Sequence, residues 1–213
     1  MAIALVISAD ASNPVGVNGS TTSAVDTTGA TLLVVAVPRY TGGGAVTVSD
    51  SNSNTWVQLT LYGGADPGLA LYYVKNPTVG SGHTFSCSGS GIYAPISMQA
   101  FSVTDTTANV DQQNGASSNS PGSITPSVDN CVVVTAFSGH GGAPTVDAGF
   151  TLTTGLAENV CYRIGMAYKV QTTAAAINAT WSSGSNDVAV IASFKPAGGG
   201  APANTTNFFQ FFN

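Results

Sequence analysis

Charge is the scarcest commodity in this chain. Only 7% of its 213 residues are Asp, Glu, Lys or Arg, against about a quarter in an average soluble domain. The five cations, Arg39, Lys75, Arg163, Lys169 and Lys195, are scattered singly, so no basic footprint exists for nucleic-acid binding driven by counterion release. Glutamate occurs once, as Glu158, which denies the chain a glutamate pair for glycoside hydrolysis. Aspartates such as Asp105 and Asp111 could substitute in principle, but Asp at strand ends and turns is its ordinary use. Histidine occurs twice, as His83 and His140, and the three cysteines, Cys87, Cys131 and Cys161, are widely separated and odd in number. Neither a disulfide framework nor a zinc spacing follows from them. Free buried core thiols are the first expectation, and one pair with a leftover thiol is the alternative. No Gly-x-Ser-x-Gly elbow, phosphate loop or His-Glu-x-x-His helix occurs, so neither enzyme activity nor a cofactor nor a bound metal is expected. Apolar runs near 20 residues are absent as well, which excludes a membrane-spanning helix. The opening Met1-Ala-Ile-Ala-Leu-Val-Ile-Ser-Ala-Asp10 has no basic n-region and meets Asp10 too early for a signal peptide. The expectation is a first strand, in a protein made and folded in the cytoplasm.

What replaces charge is Ser, Thr, Asn and 25 glycines, while the hydrophobic fraction stays at an ordinary 43%. Such a chain folds and presents an uncharged polar surface. The net charge of −5 supplies mild self-repulsion and no acidic tail. Short runs rich in Val, Ile, Thr, Tyr and Phe, broken by Gly, Pro, Asn and Asp, signal strands, and helical periodicity is missing. The two halves run in parallel. Thr31-Leu-Leu-Val-Val-Ala-Val37 matches Cys131-Val-Val-Val-Thr-Ala-Phe137, and Leu69-Ala-Leu-Tyr-Tyr-Val-Lys75 matches Ile164-Gly-Met-Ala-Tyr-Lys-Val170. His83-Thr-Phe-Ser-Cys-Ser-Gly-Ser90 then matches Ile177-Asn-Ala-Thr-Trp-Ser-Ser-Gly184, and Ile96-Ser-Met-Gln-Ala-Phe-Ser-Val103 matches Val188-Ala-Val-Ile-Ala-Ser-Phe-Lys195. The stretch between the quartets, including Gln112-Gln-Asn-Gly-Ala-Ser-Ser-Asn-Ser-Pro-Gly122, carries the turn residues of a crossover. This pattern predicts an all-β fold: a two-sheet antiparallel β-sandwich of jelly-roll type, built from two pseudo-repeated strand quartets that each feed both sheets. One domain is expected over residues 1–195, since four strands alone would leave a sheet face bare.

Beyond it, residues 196–207 have the Gly, Pro and small polar composition of a linker, and 208–213 form an aromatic tail holding Phe208, Phe209, Phe211 and Phe212. Each large apolar side chain left in water forfeits roughly 1.5 to 3 kcal/mol, so four at one site mark a contact. The expectation is docking in trans, by groove insertion or strand addition on a neighbouring subunit. Folding back on its own domain is the alternative. Two further constellations stand out. Asp50-Ser-Asn-Ser-Asn54 has the oxygen spacing that opens a calcium loop but lacks its turn glycine and distal glutamate, so a hairpin turn with Asx hydrogen bonds explains it better. Trp56 and Trp181 with Tyr40, Tyr62 and Tyr93 would suit a stacking platform for a surface glycan, if they are exposed rather than core.

Several of these segments carry a resemblance. Val48-Ser-Asp-Ser-Asn-Ser-Asn-Thr-Trp56, followed by Leu71-Tyr-Tyr-Val-Lys-Asn-Pro77, Gly82-His-Thr-Phe-Ser-Cys-Ser88 and a closing Ile191-Ala-Ser-Phe194, resembles a bacterial and bacteriophage β-sandwich module. The likeness runs over about residues 3–195. It implies a jelly-roll-like fold of the kind used by phage virion proteins, adhesive surface proteins and accessory domains of extracellular glycan-active enzymes. Combined with the aromatic tail, it gives the expectation of a non-enzymatic structural or decoration subunit on a bacteriophage-type virion surface. Its partner would be a copy of itself or a major coat or tail protein, with no role for nucleic acid or membrane. A carbohydrate-binding adhesive module is the alternative.

Overall fold

The computed structural model describes residues 2–12, 18–39, 45–63, 67–89, 94–107, 109–156, 163–182 and 184–198, and among them there is no helix. The first half supplies β1 (Ala4–Ala11), β2 (Gly19–Thr21), β3 (Leu32–Arg39), β4 (Thr47–Asp50), β5 (Val57–Gln58), β6 (Tyr62–Gly63), β7 (Gly68–Lys75), β8 (Phe85–Ser88) and β9 (Ile96–Ser102). The second supplies β10 (Gln112–Ala116), β11 (Cys131–His140), β12 (Thr151–Leu156), β13 (Arg163–Gln171) and β14 (Ser185–Phe194). They form three antiparallel sheets. One has the order β1-β9-β3-β7-β5, with β6 also on β7; a second has the order β10-β14-β11-β13-β12; the third, smaller one is β2-β8-β4.

The near-continuous apolar runs explain the layering. An antiparallel strand with one wet face alternates apolar and polar residues, so an unbroken apolar run demands cover on both faces. In β3, Leu32, Val34 and Ala36 enter a central core shared by the two large sheets. Leu33, Val35 and Val37 enter an outer core under the small sheet, where they meet Val48, Phe85, Cys87 and Met98. β11 repeats the division, with Val132, Val134 and Ala136 facing the centre. On its other face Phe137 packs with Ala179 and Trp181, and Val133 with Ile124 and Ile177. There the cover is chain held by isolated bridges, Ile124 to Ile177 and Val146 to Trp181. Rings join the two large sheets across the centre, Tyr73 to Phe194 at 5.5 Å and Phe101 to Tyr168 at 5.3 Å between centroids.

Strand register follows one scheme in both halves. Leu32 lies opposite Lys75 and Val34 opposite Tyr73, as Val132 lies opposite Val170 and Val134 opposite Tyr168. On the other side of the central strands, Phe101 faces Leu32 and Phe194 faces Val132. The strands are nevertheless dealt out differently from the expectation that each quartet feeds both sheets of one sandwich. β3, β7 and β9 all join one large sheet, and β11, β13 and β14 all join the other. Each large sheet is apolar on both faces, so it needs one cover of its own besides its neighbour. A second difference is β10, which lies in the expected crossover. Gln112, Gln113 and Asn114 pair with Ser193, Ala192 and Ile191 as an edge strand, where polar side chains point outward and propensity gives little signal. Pro196 and Ala197, assigned to the linker, pair with Thr104 and Val103.

Candidate functional site

The densest polar cluster in the described residues grows from the end of β4. Asp50 closes that strand, and its Oδ1 accepts from the backbone N–H of Asn52 at 2.8 Å, the hydrogen bond of an Asx turn. The same oxygen accepts from the Asn54 side chain at 3.1 Å, while Oδ2 accepts from the Trp56 indole N–H at 2.7 Å. His83, two residues ahead of the Phe85 that starts β8, places Nε2 at 3.0 Å from Asp50 Oδ1 and Nδ1 at 2.9 Å from Thr27 Oγ1. The His83 ring lies 4.3 Å from Phe85, centroid to centroid. Thr27 is tied in turn to the backbone of Gly80, whose N–H donates to its hydroxyl.

A hydroxyl, an imidazole and a carboxylate in line have the order of a nucleophilic triad. Burial decides the role: the His83 and Asp50 side chains are both 0% exposed, and Thr27 is 0% exposed as well. A triad needs its hydroxyl within reach of a substrate carbonyl. Here the groups connect four segments of backbone instead. Asn54 completes the arrangement, donating to the Thr78 carbonyl at 3.0 Å and accepting from the Thr78 N–H at 2.7 Å. The carboxylate also answers the calcium reading of Asp50–Asn54, because its oxygens already receive donors from Asn52, Asn54, Trp56 and the His83 contact. Among the described residues no group of three or more His, Cys, Asp or Glu is placed to hold a metal ion.

The aromatic candidates part company. Trp181 is buried, stacks on Phe137 at 5.7 Å and donates its indole N–H to Thr135 Oγ1 at 3.1 Å, so its faces belong to the second outer core. Trp56 is half-buried and meets Phe85 edge-on at 6.1 Å. Tyr62 is half-buried against the central core, over Gly115, where an added Cβ would sit 2.4 Å from the ring. Tyr40 and Tyr93 lie outside the described residues, as do Phe208, Phe209, Phe211, Phe212, Glu158 and Cys161. Trp56 and Trp181 thus belong to different outer cores of the fold.

Two ionic clusters hold the rest. Arg163, 3% exposed, donates to the Gly142 carbonyl at 2.9 Å and the Ser182 carbonyl at 3.2 Å. Its guanidinium lies 3.6 Å from Asp187 and 4.8 Å from the Phe137 ring centre. Asp111 accepts from Ser127 and Ser193 and lies 3.5 Å from Lys195. Burial pushes its pKa up, but these donors and the ammonium outweigh it and hold the carboxyl below its ordinary value. The thiols of Cys87 and Cys131 are free and buried, and burial pushes each to about 11, which makes them poor nucleophiles.

Sequence reasoning found Asp50 and its Asx turn but missed His83 as its partner. The only signal was the joint presence of an Asp-Ser-x-x-Asn-Thr-Trp hairpin and a histidine leading a strand. No protein-family model matches the chain, and no curated protein matches it.

Proposed function

We propose that the chain is a non-enzymatic structural or decoration protein at the surface of a bacteriophage-type particle, tethered to a neighbouring subunit through Phe208, Phe209, Phe211 and Phe212. The observation that carries this reading is how little the described body offers on its outside. Its large apolar side chains are internal apart from Val57 at 47% and Leu152 at 40% exposure. Its polar clusters at Asp50, Arg163 and Asp111 are engaged in holding backbone. Four phenylalanines on a Gly and Pro-rich segment are then the concentrated apolar contact that the sequence has to spend on a partner. The neighbour is a second copy or a coat or tail protein. A glycan-binding role would rest on Tyr40, Tyr62 and Tyr93, since the indole N–H groups of both tryptophans are already spent inside the fold.

The matched registers also support a finer view of the fold. Each half is one copy of a sandwich with a large sheet, six-stranded in the first half and five-stranded in the second, and its own cover, so that the jelly-roll-type pattern occurs twice rather than being shared. Native mass measurement of the full chain and of a chain ending at residue 203, alone and with isolated particles, tests the tether. The full chain is expected to join a larger assembly and the shortened one to remain free.

A further inference from the structure

The interface between the two large sheets is not the same along its two flanks. Where β6 packs against β10 and β14, the close contact is Tyr62 over Gly115, with one hydrogen bond at its rim, from the Thr60 N–H to Gln113 Oε1 at 3.1 Å, and no polar side chain buried there without a partner among the described residues. Where β12 packs on β1 and β9, the contact is polar. A bulge between Leu152 and Thr154 brings two consecutive hydroxyls to one face of β12. Thr153 Oγ1 accepts from Gln99 Nε2 at 2.7 Å and donates to the Met166 carbonyl at 2.9 Å, which fixes which way the Gln99 amide points. Thr154 Oγ1 accepts from Ser97 Oγ at 2.7 Å and is hydrogen-bonded to Asp10.

The register identifies what stands at the matching places of the other flank. Asp10 lies opposite Ser97 and Ser8 opposite Gln99; on the second sheet Gly115 lies opposite Val190 and Gln113 opposite Ala192. The pairing shifts the last of the four sequence matches by one residue: Phe101, set beside Ser193 by sequence, matches Phe194, as their positions beside Leu32 and Val132 require, so Ser97 corresponds to Val190, Gln99 to Ala192 and Asp10 to Gly115. The polar flank is built at a cost. Gln99 is 0% exposed and its Oε1 has no protein hydrogen-bond partner, a penalty that alanine at the matching place does not incur.

We propose that this polar flank is a pairing code: the first half's inner face accepts the second half, whose bulge carries Thr153 and Thr154, and rejects a copy of itself. Two first halves brought together in the same geometry would set Asp10, Ser97 and Gln99 against the β6 edge, which carries Tyr62 and Gly63 and no threonine pair. Each polar group left unpaired disfavours that complex about tenfold or more. The code keeps chains that fold side by side at high local concentration from exchanging like halves. It rests on the matching of the halves and not on the tail.

The test uses the full chain, unfolded and refolded at high concentration, with Asp10→Gly, Ser97→Val and Gln99→Ala combined so that the first half carries the second half's residues. Exchanged dimers are those that persist on dilution, which separates them from association through the tail. The expected result is about a tenfold or greater rise in persistent dimer over the unaltered chain. An unchanged dimer fraction overturns the proposal. Should the triple variant fail to fold, Gln99→Leu and Thr153→Val are compared singly and together. Under the pairing code the second change costs less once the first is made; strictly additive losses overturn it.

Discussion

His83 and Asp50 show what a buried polar pair does in a chain poor in charge. With both side chains at 0% exposure, removing one partner strands the other away from water, which costs about 3 to 5 kcal/mol for a buried pair. His83→Ala and Asp50→Ala are therefore each expected to lose several kcal/mol in urea unfolding, with Asp50→Ala the larger because Asn52, Asn54 and Trp56 lose their acceptor too. A loss under about 0.5 kcal/mol, typical of surface positions, contradicts the structural role. Two other aspartates act with opposite sign on pH. Burial raises the Asp10 carboxyl above its ordinary value, partly offset by Thr154, so its neutral form suits the folded state. Its contribution is present below the ordinary carboxylate range and is lost as pH rises through the folded value. Asp10→Asn is expected to be more stable than the parent at neutral pH, with the gap closing in acid. Asp111, held low, stabilises above the ordinary carboxylate range and loses that contribution as pH falls through its folded value. Asp111→Asn should thus be the weaker protein at neutral pH and should converge with the parent at low pH. Thermal melts across pH check both signs.

At the scale of elements, close approach sets what a strand tolerates. Gly115 in β10 lies under Tyr62, and an added Cβ would be 2.4 Å from the ring. Gly115→Ala is expected to cost about 1 to 3 kcal/mol through displacement of that ring. Gly142 has nothing within 4 Å of the same added atom, so Gly142→Ala should stay within about 0.5 kcal/mol; equal losses at both sites would show that the ring is free to move. The same elements show what was legible in advance. β3, β7, β9, β11, β13 and β14 announce themselves because both faces are buried, which turns alternation into an apolar run. β10 does not, since an edge strand of Gln, Gln, Asn, Gly and Ala is held by the pairing of β14 and not by its own composition. β5 and β6 are two residues each, too short to carry a period. Asp50 was readable as a turn because Asx bonds are local. Its contact with His83 spans 33 positions and is created by tertiary packing, so nothing in the hairpin itself reports it.

At the scale of the whole molecule, two large sheets share one core and each carries its own outer cover. That arrangement hides nearly every large apolar side chain of the described body and leaves the surface to Ser, Thr, Asn and Gly. The proposed function therefore rests on Phe208, Phe209, Phe211 and Phe212, outside the described residues. The most direct measurement replaces Phe208, Phe209, Phe211 and Phe212 together by Ser and follows two quantities, the melting temperature of the isolated chain and its incorporation into particles. The tether predicts an unchanged melting temperature with incorporation nearly abolished, because the four rings supply several kcal/mol of contact even after the cost of association. Undiminished incorporation, or a melting temperature far below that of the parent, would contradict it: the first removes the tether, and the second assigns the rings to the protein's own core.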